Sequence, residues 1–157
     1  MKTYQQIIEE CLQYVTEIFP WDLEEKLAAG LKPILLDIRE PYEFNIMRLE
    51  NSLNVPRGIL EQSCEWDYEE TIPELVNARD KEIVLICRSG NRSVLAAYRL
   101  QEMGYQNVLS LKTGLRGWND YEQPLVNDQN QEVDIEEADE YFSSKVRPDQ
   151  LRPKQAN

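Results

Sequence analysis

The sequence contains no histidine among its 157 residues. This absence excludes every mechanism in which an imidazole is the general base, including the serine and the cysteine–histidine triads. It also argues against a zinc site, and we expect neither a metal nor a cofactor. Any chemistry must therefore come from cysteine, carboxylates, arginine or backbone groups.

Basic residues and long apolar runs are also scarce. Lysine and arginine together number 17 against 29 acidic residues, which gives a net charge of -12. A charge of this sign argues against nucleic acid and against an anionic membrane surface as partners, because both need a basic footprint. No window approaches the roughly 18 apolar residues of a transmembrane helix, and the N-terminal stretch MKTYQQIIEECLQYVTEIF lacks the apolar core of a signal peptide. We expect a soluble, cytoplasmic protein.

Cysteine occurs at only three positions, which share no common spacing. An odd, scattered set does not form a disulfide framework and indicates reduced thiols in a reducing compartment. Cys11 lies on the apolar stripe of a predicted helix over residues 3–16, which favours a buried structural thiol. Cys64 has three acidic neighbours that raise the pKa of its thiol, so an incidental cysteine is favoured there over a second redox thiol.

Short apolar segments alternate along the chain with segments of helical periodicity. The apolar segments have the length of buried strands. Alternation of this kind builds βα units and implies an α/β fold with a parallel sheet covered on both faces. The predicted strands are residues 33–37, 52–56, 82–87 and 107–111, and the predicted helices are residues 3–16, 22–30, 40–47, 69–78, 93–104 and 115–122.

The composition changes after residue 125. The remaining residues are almost entirely polar, with an acidic block at 132–140. Such a composition favours a flexible or loosely docked tail over a partner-binding segment.

Cys87 stands at the end of the apolar strand EIVLIC, and a helix is predicted to begin near Ser93. In open α/β sheets, ligands bind at the carboxyl ends of strands, where loops pass to helices. Cys87 is therefore the candidate nucleophile. The alternative is a buried residue at a strand end, where free cysteines are common.

The loop after Cys87 has the residue types of an anion-binding turn. Gly90 and Asn91 tolerate positive φ most readily, so successive N–H groups can turn toward a common centre. The positive end of the following helix adds to the same field. With Arg88 and Arg92 beside it, this field favours the thiolate form of the cysteine, and no base is required.

The length of this loop separates two chemistries. Phosphatases use a Cys-x5-Arg loop of seven positions, which encircles a tetrahedral phosphate. Here the seventh position is Ser93, and the loop CRSGNR has six positions, ending at Arg92. The tighter loop favours a single sulfur atom, carried as a persulfide, over a phosphoryl group, and so disfavours a phosphatase or an arsenate reductase.

With this loop and the stretches that flank it, the sequence resembles the single-domain rhodaneses, a family of sulfurtransferases. CRSGNRS is similar to the family's active-site loop, LLDIREPYEF to its first diagnostic stretch, NSLNVP to its Asn-Ile-Pro strand and VLSLKTGLRGW to its closing strand, glycine pair and tryptophan. The resemblance covers about residues 18–126 and implies a three-layer fold, a small parallel sheet flanked by helices on both faces. Met47, Arg48 and Thr113 depart from the family pattern, which has glycine, histidine and glycine at these positions.

The resemblance also implies roles for individual residues. Cys87 corresponds to the nucleophile that accepts sulfane sulfur. Asp37 and Arg39 correspond to a strand-end pair that is expected to brace the loop by charged hydrogen bonds, although a helix-capping pair away from the site is the alternative. The loop whose amides hold the persulfide corresponds to Arg88, Ser89, Gly90, Asn91, Arg92 and Ser93.

The implied activity is the transfer of sulfane sulfur through a persulfide on Cys87. A small anionic donor such as thiosulfate would supply the sulfur, and a thiol or cyanide would accept it. Arg88 and Arg92 are expected to help draw the donor inward. The alternative for both is an outward, solvated side chain, and a site role is favoured for Arg88. A different hypothesis is a sulfur-carrier or docking module that acts on a protein partner.

The sequence is accordingly divided into three parts. Residues 1–16 form an N-terminal helical extension, residues 17–126 the rhodanese-like domain, and residues 127–157 the acidic polar tail. The N-terminal helix and the tail are the candidate surfaces for a protein partner.

Overall fold

A five-stranded parallel sheet forms the centre of the molecule in the computed structural model, which describes residues 1–155. The strand order is β1-β5-β4-β2-β3, and all neighbouring strands run parallel. The α/β fold and the four predicted strands are confirmed, whereas β1 was not predicted. The strands are β1 (Thr16–Ile18), β2 (Ile34–Asp37), β3 (Leu53–Asn54), β4 (Glu82–Ile86) and β5 (Asn107–Leu111).

Eight helices surround this sheet among the described residues. Helices α1, α4, α5 and α6 contribute to the hydrophobic core on one face of the sheet, and α2, α7 and α8 contribute to the core on the other. The helices are α1 (Tyr4–Leu12), α2 (Pro20–Ala28), α3 (Pro41–Ile46), α4 (Leu60–Ser63), α5 (Pro73–Val76), α6 (Arg92–Glu102), α7 (Gly114–Asp120) and α8 (Ile135–Phe142). Within residues 1–155, none of the helices has the length and apolar content needed to cross a membrane.

The central strand β4 shows why the sheet is buried on both faces. Ile83 and Leu85 pack into one hydrophobic core, while Val84 and Ile86 pack into the other. Alternate residues of a strand point to opposite faces, so a continuous apolar run is what a strand between two helical layers requires.

Three helices, α1, α2 and α5, have bounds that differ clearly from the predictions. Helix α1 ends at Leu12 rather than at residue 16, because Thr16 and Ile18 pair with β5. Helix α2 begins at Pro20, with Phe19 at the N-cap position, so Asp22 lies in the first turn and does not cap the helix. The predicted helix over residues 69–78 is also shorter, and covers only α5.

The segment after residue 126 is docked on the domain as far as Phe142. Of the two predicted alternatives, a flexible or a loosely docked tail, the flexible one is therefore wrong for these residues. Ala138 and Phe142 of α8 are each 1% exposed and belong to the core that α2 and α7 share. Val126 adds isolated antiparallel bridges to Arg48 and Glu132. The core therefore continues past the predicted boundary. The last two residues of the predicted tail, 156–157, lie outside the described part of the chain.

The strand order creates a crevice at the carboxyl ends of β2 and β4. After β2 the chain moves outward to β3, whereas after β4 it moves in the opposite direction to β5. Loops diverge at such a switch point and leave space for a ligand. Asp37 ends β2 here, and Cys87 directly follows β4.

Candidate active site

The sulfur of Cys87 is surrounded by hydrogen-bond donors from its own loop. The backbone N–H groups of Gly90 and Ser93 donate to Cys87 Sγ at 3.1 and 3.4 Å, and Cys87 itself is 1% exposed. Gly90 adopts φ +87°, which turns its N–H inward. Asn91, in contrast, is right-handed and forms the N-cap position of α6, which begins at Arg92. The loop can thus hold negative charge on sulfur by backbone dipoles.

Two buried hydroxyl groups continue this arrangement. Ser93 Oγ lies 3.4 Å from Cys87 Sγ and 2.7 Å from the hydroxyl oxygen of Ser110 on β5. Both serines are 0% exposed. Ser110 was not predicted as a site residue, since nothing in the sequence around it differs from an ordinary strand.

The start of α7 fixes the loop from the opposite side. The N–H groups of Leu115 and Arg116 donate to the carbonyl oxygens of Cys87 and Arg88 at 2.9 and 3.0 Å. Gly114 has φ +59°, and a Cβ atom there would lie 2.5 Å from the Cys87 carbonyl oxygen. The backbone of the loop therefore lies so close to Gly114 that a residue with a side chain at position 114 would clash with it.

Met47 and Thr113, two departures from the family pattern, differ in how well their backbone conformation suits a residue other than glycine. Met47 has φ -159°, an extended conformation that does not need glycine, and its side chain is buried. Thr113 adopts φ +67° in the left-handed region. The second glycine of the closing pair, Gly114, is the one that contacts the loop.

Arg92 is held by a carboxylate that the sequence did not single out. Its two terminal nitrogens donate to the two oxygens of Glu43 on α3, each at 2.9 Å. Burial raises the pKa of Glu43, but the hydrogen bonds from Arg92 and from the Glu40 backbone outweigh it and hold the net pKa below the ordinary value. The same pair raises the pKa of Arg92. Glu43 belongs to the stretch LLDIREPYEF, and its place in that motif was the sequence signal that could have marked it as a site residue.

Arg88 is held by the C-terminal segment. Its Nη2 donates to the carbonyl oxygens of Phe142 and Ser143 at 2.5 and 3.2 Å, at the C-terminal end of α8, where the helix dipole favours a cation. Its Nη1 also donates to Ser89 Oγ at 3.3 Å. The guanidinium of Arg88 therefore binds protein oxygens, although the residue is only partly buried and lines the cavity.

A cavity of about 230 Å³ opens onto this loop. Tyr4, at the start of α1, contributes to its wall, and burial followed by the charge of Cys87 raises the pKa of Tyr4. The lining residues are Tyr4, Cys87, Arg88, Ser89, Asn91 and Arg92. A larger cavity of about 600 Å³ lies around Pro33, at the other end of β2, and no cysteine lines it.

The Asp37–Arg39 pair does not contact the cysteine loop by any hydrogen bond among the described residues. Arg39 donates to the Asp37 carboxylate at 2.8–3.1 Å and to the carbonyl oxygen of Met47 at 2.8 Å, with both members of the pair 0% exposed. The expected direct bracing is therefore wrong. The pair joins β2 to the end of α3, the helix that carries Glu43.

The other two cysteines lie away from this cavity. Cys64 is 0% exposed, and its burial is the main reason that the pKa of its thiol is raised. Cys11 is partly exposed, not buried as predicted, and burial followed by the charge of Glu10 raises its pKa. Within residues 1–155, no group of three or more cysteine and acidic side chains is arranged to hold a metal.

Comparison with protein families and curated sequences identifies relatives of this chain. The family model of the rhodanese-like domain matches residues 20–121. The adenylyltransferase and sulfurtransferase UBA4 of Candida albicans is 34% identical over 111 residues, which cover 66% of this chain and 23% of that protein. The chain thus spans about a quarter of the length of the first curated relatives it matches.

Solved structures resemble the chain over most of its length. A Rhodopseudomonas palustris protein of unknown function, termed a possible tyrosine phosphatase, has a TM-score of 0.72 and 25% identity, covering 79% of this chain and 94% of that one. A rhodanese-related protein of Thermoplasma volcanium has a TM-score of 0.57 and 30% identity, covering 71% and 97%.

Proposed function

Because the chain belongs to the rhodanese-like domain family, we propose that it is a sulfurtransferase with Cys87 as its nucleophile. Sulfane sulfur would pass from a donor such as thiosulfate to a thiophilic acceptor through a persulfide on that residue. The observation that carries this proposal is the set of donors around Cys87 Sγ, formed by the amides of Gly90 and Ser93 and by the Ser93 hydroxyl.

In the first step, the Cys87 thiolate attacks the outer sulfur of thiosulfate. A new sulfur–sulfur bond forms, the bond between the two thiosulfate sulfurs breaks, and sulfite leaves with its electron pair. The negative charge then resides on the outer sulfur of the persulfide, close to the loop. Donors fixed before the reaction stabilise such charge without reorganisation.

In the second step, a thiolate or cyanide takes the outer sulfur, and the Cys87 thiolate is restored. Cyanide would leave as thiocyanate. Neither step transfers a proton through a general base, which is consistent with a chain that has no histidine. Backbone groups and hydroxyls of the loop can therefore stabilise the charged sulfur in both steps without a general base.

Arg88 and Arg92 contribute to this cycle by their charge. Both line the cavity, but their guanidinium groups bind protein oxygens, Arg88 at the end of α8 and Arg92 at Glu43. We infer that they attract an anionic donor through space and fix the shape of the loop. Asp37 and Arg39 support the same loop indirectly, through the position of α3.

A second candidate is a sulfur carrier that acts on a protein partner. The UBA4 relatives, named as adenylyltransferases and sulfurtransferases, favour it, since this chain corresponds to only part of them. The site also favours it, because the N-terminal helix supplies Tyr4 to the cavity wall and the carbonyls of Phe142 and Ser143 bind Arg88, another residue of that wall. A partner bound by either segment would lie next to Cys87.

Phosphate-ester hydrolysis is the competing chemistry, as the name of the Rhodopseudomonas palustris protein suggests. The six-position loop argues against it, since Ser93 occupies the seventh position and Arg92 is bound to Glu43. A chromogenic phosphate ester tests this directly. Turnover of the ester that depends on Cys87 would favour the phosphatase.

The proposal is tested by assaying thiosulfate:cyanide sulfurtransfer in the Cys87→Ser variant. We expect thiocyanate production to fall to background, because serine cannot form the persulfide. The Cys11→Ser variant is the matched control and should retain activity, since Cys11 lies outside the cavity. Undiminished activity of Cys87→Ser would refute the proposal.

A further inference from the structure

We propose that Ser110 is a positioning residue that aims the Ser93 hydroxyl at the sulfur of Cys87. The proposal rests on the proposed function of the same site, and extends it to a strand outside the cysteine loop. Ser110 touches no substrate and would act only through Ser93.

The observation is an uninterrupted row of three polar side chains in the core. Ser110 Oγ lies 2.7 Å from Ser93 Oγ, which lies 3.4 Å from Cys87 Sγ. All three residues are at most 1% exposed. Ser110 stands on β5 next to Leu111, and a hydroxyl buried among apolar groups is costly unless it is hydrogen-bonded. The bond it makes leads to Ser93, whose side chain forms a hydrogen bond with the sulfur of the nucleophile.

The direction of these bonds depends on the charge of the sulfur. A neutral thiol can donate its proton to Ser93 Oγ. A thiolate can only accept, so Ser93 must donate to sulfur, and its oxygen then accepts the hydrogen of Ser110. Each bond of such a chain polarises the next and strengthens it. Ser110 thus favours the arrangement in which Ser93 stabilises the anionic sulfur.

The charged groups that face Cys87 have fixed partners, and Tyr4 is the titratable group beside them. Arg92 is bound to Glu43, and Arg88 to the carbonyls at the end of α8. Tyr4 of α1 lines the cavity, and on the neighbouring strand Asp37 is paired with Arg39. The serine pair is the polar contact whose donor and acceptor can exchange when the sulfur gains charge.

The test is a double-mutant cycle with Ser110→Ala, Ser93→Ala and the combined variant. Alkylation of Cys87 by iodoacetamide is followed against pH by mass spectrometry of the peptide that contains Cys87. We expect Ser110→Ala to move the alkylation profile to higher pH and to lower kcat/KM for thiosulfate about threefold to tenfold. Ser110→Thr, which keeps the hydroxyl, should restore both.

In the Ser93→Ala background, Ser110→Ala should cause no further change, because Ser110 acts through Ser93. An equal shift in both backgrounds, or reduced thermal stability with an unmoved alkylation profile, would overturn the proposal and make Ser110 a structural tie between α6 and β5. Alkylation does not require sulfur transfer. If the alkylation profiles change as predicted in the double-mutant cycle but the protein has no sulfurtransferase activity, the proposed function is refuted and the role of Ser110 is not.

Discussion

At the scale of single residues, the position of the Cys87 loop depends on Gly114, which lies 27 positions further along the chain. Gly114 has φ +59°, and the space in which its Cβ would stand holds the backbone of Cys87 and Arg88. The N–H groups of Leu115 and Arg116 bind the carbonyl oxygens of the same two residues. A shift of this turn would therefore move the donors that surround the sulfur.

The Gly114→Ala variant tests this dependence. We expect the free energy of unfolding to fall by about 1–3 kcal/mol, from strain at positive φ and from the close contact, and sulfurtransferase activity to fall about tenfold or more. Chemical denaturation and the thiocyanate assay measure the two effects. Gly58→Ala is the matched control, since a Cβ there meets nothing within 4 Å, and equal behaviour of the two variants would contradict this account.

The cysteine loop could be predicted from the sequence because its residues are contiguous. The partners of that loop could not, because they lie far away along the chain. Glu43 is 49 residues from Arg92, Phe142 is 54 residues from Arg88, and Ser110 is 17 residues from Ser93. These contacts also decide what the arginines do, so their roles could be derived only from the folded chain.

At the scale of elements, α8 is the clearest addition to the domain. It covers the core beside α7 with Ala138 and Phe142, and the carbonyl oxygens of Phe142 and Ser143 hold Arg88. The C-terminal segment therefore both buries apolar surface and fixes one wall of the cavity.

The Phe142→Ala variant tests the docking of α8. Because Phe142 is 1% exposed, we expect the free energy of unfolding to fall by about 3 kcal/mol. Leu151→Ala, in the same segment but 61% exposed, should change it by less than about 0.5 kcal/mol. Equal stabilities of the two variants in chemical denaturation would mean that α8 is not docked in solution.

The strands β2 and β4 could be predicted because each carries a continuous apolar run that lies between two helical layers. The three residues of β1, in contrast, contain Thr16 and Glu17, and their strand conformation depends on pairing with β5. In α8 the acidic side chains dominate the composition and obscure the few apolar residues that are buried. Composition alone therefore predicted a tail where tertiary contacts form a helix.

At the scale of the whole molecule, the net charge of -12 opposes the approach of an anionic donor. The arginines at the cavity act over a short distance, whereas the net charge acts over the Debye length, about 30 Å at 0.01 M salt and about 8 Å at 0.15 M. Salt should therefore remove the long-range repulsion first.

We expect kcat/KM for thiosulfate to rise at least about twofold between about 10 mM and about 150 mM salt. Alkylation of Cys87 by iodoacetamide, a neutral reagent, is the control and should change little over the same range. Steady-state assays and timed mass spectrometry measure the two rates. A fall in kcat/KM with salt would show that the local arginines, and not the net charge, govern donor approach.

The central claim is that Cys87 carries sulfur as a persulfide. The intact mass of the protein after incubation with thiosulfate tests it most directly. We predict a gain of one sulfur atom in the natural sequence and in Cys11→Ser, its removal by cyanide, and no gain in Cys87→Ser. A protein that gains no sulfur, or a Cys87→Ser variant that still gains it, would contradict the account.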